Sequence, residues 1–442
     1  MESARVVVTG LGAVGPLGLG ADLMWAGLCE GRSGIARIRA FDPAGLPCEL
    51  AGEVPDYNIQ DYVPRKYRKS CKLMCRDIEL AVIAAQQAVA ASGLVTKAID
   101  PDNVRIAPAR MAVNMGAGII SCEMPELAPA MAVSTADGRF DVRRWGREGL
   151  DHVTPLWLLK YLPNMLACHV GIIHDAQGPS NTITCAEASA HLAIAEAAQI
   201  IARGDSDIAL AGAAEAKVNP ALMVRQILLK RTNNTCNDRP SEACRPFDAN
   251  ACGSVFGEGG GVLVLESLDH ARHRGAKILA ELVGIGQSHS LGPAYAQLEP
   301  DGQAVRIAIE EALDDADIDA RRLDLLIPHG TGVPHDDLAE ARGIQAALGE
   351  AIDRVPVWPT KSMLGTTGAA SGALDTIAAV QAITTGTIPA ARNFAKAADG
   401  CRLRIATESV RQPIEHAICC SYTHGGQTAA LVLKRYDEGA TE

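Results

Sequence analysis

Residues 181–216 read NTITCAEASAHLAIAEAAQIIARGDSDIALAGAAEA. A short β-prone run, a turn, an alanine-rich amphipathic stretch and a second apolar run predict strand, sharp turn, long helix and strand in that order. Cys185 stands at the turn and Glu187 follows two residues later, at the head of the helix. Which of the two occupies the position that the turn presents decides what chemistry the chain can carry.

Outward from that unit, strand-like and helical periods take turns along the whole chain. AVIAAQQAVAASG near 81–93 and AVRIAIEEALDDADI read as helices, RMAVNMGAG near 110–118, AELVGIGQS and AALVLKRY as strands. This alternation predicts an α/β layered body. A second strand–turn–helix is expected near 358–384, in WPTKSMLGTTGAASGALDTIAAVQAIT, and VVVTGLGAVG is echoed by AELVGIGQS. Two similar halves of about 200 residues follow from these echoes, with no Pro/Ser/Gly linker between them. Residues 119–180 are the least regular stretch and are expected to cap a site or form a subunit contact.

The chain has 442 residues, 48% of them hydrophobic and only 4% aromatic, so its core must pack through small side chains. A net charge of −11 argues against nucleic acid and anionic membranes as partners. Local basic runs at Arg65, Lys66, Arg68 and Lys69, and at Arg143, Arg144 and Arg147, are the places where an acidic protein could dock. Thirteen cysteines without CxxC spacing, no signal peptide and no membrane-length apolar run point to a cytosolic protein with reduced thiols. Cys419 and Cys420 are adjacent and are not expected to face the same partner. Gly10, Gly12 and Gly15 form a GxGxxG, but Pro16 and Gly18 follow where a nucleotide-binding helix would open. The motif reads instead as a glycine-rich strand end with unusual backbone angles.

Seven segments carry a resemblance to the β-ketoacyl-acyl-carrier-protein synthases of the thiolase fold, nearly end to end. They are VVVTGLGAVGPLG at 6–18, QGPSNTITCAEAS at 177–189, GDSDIALAGAAEA at 204–216, the run CRPFDANACGSVFGEGGGVLVLESLDHARHRGAKILAEL at 244–282, PHGTGVPHDDLAEARGI at 328–344, TKSMLGTTGAASGALD at 360–375 and CSYTHGGQT at 420–428. The resemblance implies two βαβαβαββ halves in an αβαβα body, residues 1–270 with an insertion near 119–180 and residues 271–442. It also implies a Cys nucleophile at the head of the buried helix, two His that stabilise a malonyl-derived enolate, a supporting Lys, and neither metal nor cofactor.

Counting places the nucleophile. The family pattern sets it nine residues after the Gly of GP and seventeen before the GD of the next strand, and from Gly178 and Gly204 both counts reach Glu187. Cys185 falls where the family usually has Thr and is expected to be a strand-end core residue. By the same comparison His329 is the first His, with Asp337 and Glu340 in place. Lys361 is the family Lys, Asp375 its acidic partner in a structural ion pair, and Thr366 replaces the second His. Tyr422 matches a gating aromatic, Thr423 and His424 alter the glycine loop after it, and Ile119 is expected beside the substrate tunnel or dimer contact. Glu187 is expected to fill the vacated thiolate site, paired with Lys361 or His329, and His191 to be a satisfied packing residue.

A body kept intact around a lost nucleophile resembles the chain-length factors of type II polyketide systems. These pair with an active ketosynthase as a heterodimer, around acyl chains held on the phosphopantetheine of a carrier protein. The alternative is a malonyl-carrier-protein decarboxylase that makes an acetyl primer, and a condensing enzyme using Cys185 is a third reading.

Overall fold

The computed structural model describes residues 4–292 and 297–438. In the first half of the chain the principal elements are β1 (Val6–Gly15), α1 (Arg76–Ser92), β2 (Met111–Ala117), β3 (Ser180–Ile183), α2 (Ser189–Ala202), β4 (Ile208–Ala216) and β5 (Glu258–Ser267). In the second they are β6 (Ala280–His289), α3 (Gln303–Asp315), β7 (Leu325–Ile327), α4 (Pro334–Leu348), α5 (Ser371–Thr385), β8 (His416–Tyr422) and β9 (Gln427–Lys434).

A continuous sheet runs β7-β8-β9-β6-β1-β5-β4-β2-β3. Its two arms have one topology. In the first, β3, β2 and β4 are parallel neighbours, and β5 and β1 follow antiparallel. In the second, β7 and β8 are parallel, β9 and β6 follow antiparallel, and Val357 takes the outer place through parallel bridges to Leu326 and Ile405. The strand expected ahead of Lys361 is therefore reduced to isolated bridges, while the helix after it forms at 371–385.

Side chains alternate across each strand, and the alternation sorts the core into layers. Leu263, Leu325, Ile327, Cys419 and Leu431 join α2 and α5 in a central core. Their neighbours Val262 and Val264 face α1, while Leu326, Ile418, Cys420 and Val432 face α3 and α4. The result is helix, sheet, helix, sheet, helix. Cys419 and Cys420 end up in different cores, as strand geometry requires.

The glycine motif of β1 serves this packing. Gly10 and Gly12 are absent from the positive-φ positions, which corrects the expectation of unusual backbone angles. A Cβ on Gly12 would lie 1.9 Å from Ala84 O of α1, and one on Gly286 of β6 would lie 1.9 Å from Ala308 O of α3. Both halves bring a helix backbone onto a strand through a missing side chain. Residues 119–180 form an excursion whose helix at Met124–Val133 and two-residue-per-strand hairpin at Thr135–Ala136 and Arg139–Phe140 are largely exposed, while its helix at Met165–His174 returns to the core beside α1. Among the described residues, no helix is long and apolar enough to cross a membrane.

Candidate functional site

The carboxyl ends of parallel strands are where an α/β body leaves a crevice for ligands, and the candidate residues all follow such ends. Between β3 and α2 the chain turns through Cys185–Ala188. The Cys185 N–H donates to Ser189 Oγ at 2.8 Å, and that hydroxyl donates to Ala117 O at the end of β2, 3.2 Å away. Ala186 takes φ 42°, a left-handed conformation that a side chain tolerates at a cost of about 1–2 kcal/mol. The next residue, Glu187, is 6% exposed.

Glu187 meets a lysine, but not the expected one. Lys217, one residue past β4, donates to Glu187 Oε1 at 2.8 Å and is itself 4% exposed. Burial opposes ionisation of Glu187; the adjacent Lys217 ammonium outweighs it and holds the carboxyl well below the usual range. Glu187 Oε2 is buried with no hydrogen-bond partner. On the far side Glu215 lies 3.7 Å from Lys217 and accepts from the Ala369 N–H at 2.6 Å.

Lys361 is engaged elsewhere. It pairs with Asp375, which also accepts from the Thr360 hydroxyl, and it reaches Pro328 O at 3.4 Å. Both members of the pair are 1% exposed. His329 sits one residue past that carbonyl, in a loop clamped by two buried carboxylates of α4. Glu340 accepts from the backbone N–H of His329 and Gly330 at 2.6 and 2.7 Å, and Asp337 from those of Phe247, Thr331 and Gly332. Burial, then the Lys361 charge, push the His329 imidazole well below its ordinary value, so it is neutral, and its Nδ1 is buried without a partner.

Thr366 shares a 2.7 Å hydrogen bond with Ser254, and its backbone is bridged to the 255–257 strip. Its hydroxyl is thereby committed. Tyr422, expected as a gate, is 1% exposed and packs edge-on against His329 with ring centroids 4.8 Å apart, its hydroxyl unpartnered. Thr423 folds the loop back by donating to Gln427 Oε1 at 2.7 Å, and the residue of that loop within electrostatic reach of Glu187 is His424. Ile119 is half exposed, and its backbone N–H faces Glu215 at the edge of this cluster. Arg231 pairs with Asp336 at 2.5 Å in the same buried region.

Cys185 is half-buried rather than core, and burial raises its thiol pKa, which disfavours the thiolate. His191 is fully buried, with Nδ1 bonded to Ser421 Oγ at 2.8 Å and Nε2 unpartnered, so it is only half satisfied. Among the described residues no group of His, Cys, Asp and Glu is arranged to hold a metal. Sequence reasoning missed Lys217, Arg231 and Ser254. The sequence offered only Glu215 and Lys217 as charges at the end of an otherwise apolar strand, AGAAEAK, with nothing to say what they face.

Such a centre can bind and orient, but it offers no activated nucleophile. A carboxylate neutralised by an ammonium attacks thioesters poorly, and one neutral imidazole is left to hydrogen-bond an oxyanion.

Comparison with known proteins places these features in a family. Residues 3–271 match the model of the beta-ketoacyl synthase N-terminal domain, and residues 279–395 that of the beta-ketoacyl synthase C-terminal domain. A 3-oxoacyl-[acyl-carrier-protein] synthase 2 from Vibrio harveyi is 34% identical over 442 residues, spanning 99% of this chain and all of its own length. Among solved structures, the ishigamide ketosynthase/chain length factor superposes with TM-score 0.83 at 28% identity, covering 98% of this chain and 100% of that one. A type II polyketide-synthase acyl-carrier protein in complex with its ketosynthase bound to the hexaketide gives TM-score 0.83 at 26% identity, over 99% and 100% of the two chains.

Proposed function

This chain belongs to the β-ketoacyl synthase family, and we propose that within it the chain is a non-catalytic chain-length factor. In this reading it pairs with an active ketosynthase in the cytoplasm and shapes the tunnel for a polyketide or fatty-acyl chain held on a carrier protein. Residues 1–270 and 271–442 are its two ketosynthase halves. The observation that carries the reading is the buried Glu187–Lys217 ion pair at the nucleophile position. Where the resemblance implies a thiolate nucleophile, this chain holds a carboxylate neutralised by an ammonium.

Two surface features support partners. Residues 119–180 expose Ile119, Phe140, Val142, Leu156, Leu158 and Ile172, apolar area that a partner could cover. Beside them β3 is the terminal strand of the sheet, with Ser180 and Asn181 exposed and one edge unpaired among the described strands. Together they suit the ketosynthase contact. Arg65, Lys66, Arg68, Lys69 and Lys72 lie exposed on two 3₁₀ turns and form a basic patch that suits an acidic carrier protein.

The second reading, a malonyl-carrier-protein decarboxylase, is favoured by His329 alone, neutral and with a free Nδ1. Against it, Thr366 stands where a second imidazole would be needed and shares its hydroxyl with Ser254. Native mass spectrometry of the chain co-expressed with ketosynthases encoded beside it tests the choice. A one-to-one complex with a ketosynthase carrying Cys and both His is expected. A chain that remains alone and forms acetyl-carrier protein, with the activity lost in His329→Ala, would overturn it in favour of the decarboxylase.

A further inference from the structure

Lys217 has two carboxylates within reach, and they are not equivalent. Glu215 is a fixture: the Ala369 N–H holds it at 2.6 Å, and its carboxylate fills the space where a Cβ on Gly118 or Gly368 would stand, about 2.0 Å away in each case. Its separation from Lys217 is 3.7 Å. Glu187 makes the closer contact at 2.8 Å, and its second oxygen is buried without a partner. The anion that Lys217 holds is thus one that the surroundings do not otherwise fix. It stands at the head of α2, on a turn whose geometry is set by Ser189 and the end of β2.

We propose that Lys217 makes the nucleophile position a binding site for one small anion of the carboxylate or thiolate class, which the chain keeps closed from within by supplying Glu187. In the natural chain the internal carboxylate excludes any entering one. With Glu187 shortened, the ammonium and the vacated volume receive a small monocarboxylate such as acetate. The inference does not depend on a ketosynthase partner or a carrier protein, since every component of the site lies in this chain.

The test uses the full chain alone. Glu187→Ala is titrated with sodium acetate against sodium chloride at equal ionic strength, and thermal unfolding and calorimetric binding are read. Saturable stabilisation by acetate is expected in Glu187→Ala and is absent from the natural chain and from Glu187→Ala/Lys217→Met. Equal response of the single and double variants, or none in the single variant because Lys217 has closed onto Glu215, overturns the proposal. If Glu187→Ala does not fold, Glu187→Cys replaces it, with iodoacetamide labelling followed across pH and the labelled peptide identified. Alkylation of that thiol at neutral pH is expected to be about tenfold faster than in Glu187→Cys/Lys217→Met, the ammonium favouring the thiolate. Equal rates overturn the proposal here too. A ketosynthase complex that fails to form would leave both measurements unaffected.

Discussion

Glu187 and Lys217 lie 30 positions apart in the chain and meet in a pocket from which solvent is nearly excluded. The first was legible in the sequence because two independent spacings meet on it without a gap. The second was not, because a lysine ending an apolar strand carries no local sign of the charge that it faces across the crevice. The resemblance drew attention to Lys361 instead, whose own partner Asp375 was within reach of the same comparison. Another buried carboxylate yields a prediction of its own. Asp77, in the first turn of α1, accepts from the Ala216 N–H at 3.0 Å, and burial, reinforced by the charges of Glu215 and Glu258, pushes its carboxyl up to about 7. Between the ordinary value of about 4 and that raised one, the folded chain binds a proton that the unfolded chain has released. Asp77 therefore stabilises the fold at acid pH, and the contribution falls by about 1.4 kcal/mol per pH unit until the group ionises. Denaturant unfolding of Asp77→Asn at pH 5, 6 and 7 is expected to show a shallower decline than the natural chain. Parallel declines would contradict this assignment.

At the scale of elements, periodicity identified β2, β4, β6 and β9 within a residue or two, since these strands are apolar runs bounded by turns. It could not say which helix would press on which strand. Gly12 and Gly286 acquire their meaning only when α1 and α3 are laid over β1 and β6, and a glycine motif read locally suggested backbone angles instead. Backbone oxygen on the helix side leaves no flexible neighbour to yield. Gly12→Ala and Gly286→Ala are each expected to cost about 3 kcal/mol or more by overpacking, whereas Gly146→Ala, whose Cβ would meet open space, stays within about 0.5 kcal/mol. Chemical denaturation of the three variants checks the contrast. The outer place at Val357 was overestimated as a strand because its apolar neighbours look β-prone, yet only isolated bridges form there.

For the whole molecule, the repeated order of the two sheet arms was legible as a weak echo of spacing and glycine placement, and the layering follows from alternation within each strand. Which part of the excursion at 119–180 would return to the core and which would stay exposed was not legible, because its apolar residues follow no single period. Val142 and Leu158 are 71% and 53% exposed, so replacing both by Glu leaves the fold intact. The same pair of changes is expected to weaken association with the ketosynthase by about tenfold or more. Circular dichroism and titration of the partner separate the two effects. A folded variant with unchanged binding would contradict the proposed contact, and loss of fold would mean that the excursion serves the chain itself.

The Glu187–Lys217 pair can also be dismantled in only one order. With Glu187 removed first, the ammonium of Lys217 still has Glu215 at 3.7 Å. With Lys217 removed first, Glu187 is a buried charge without a counter-ion, at a cost of about 3–5 kcal/mol. The two halves of one ion pair are therefore unequal: the cation tolerates solitude and the anion does not.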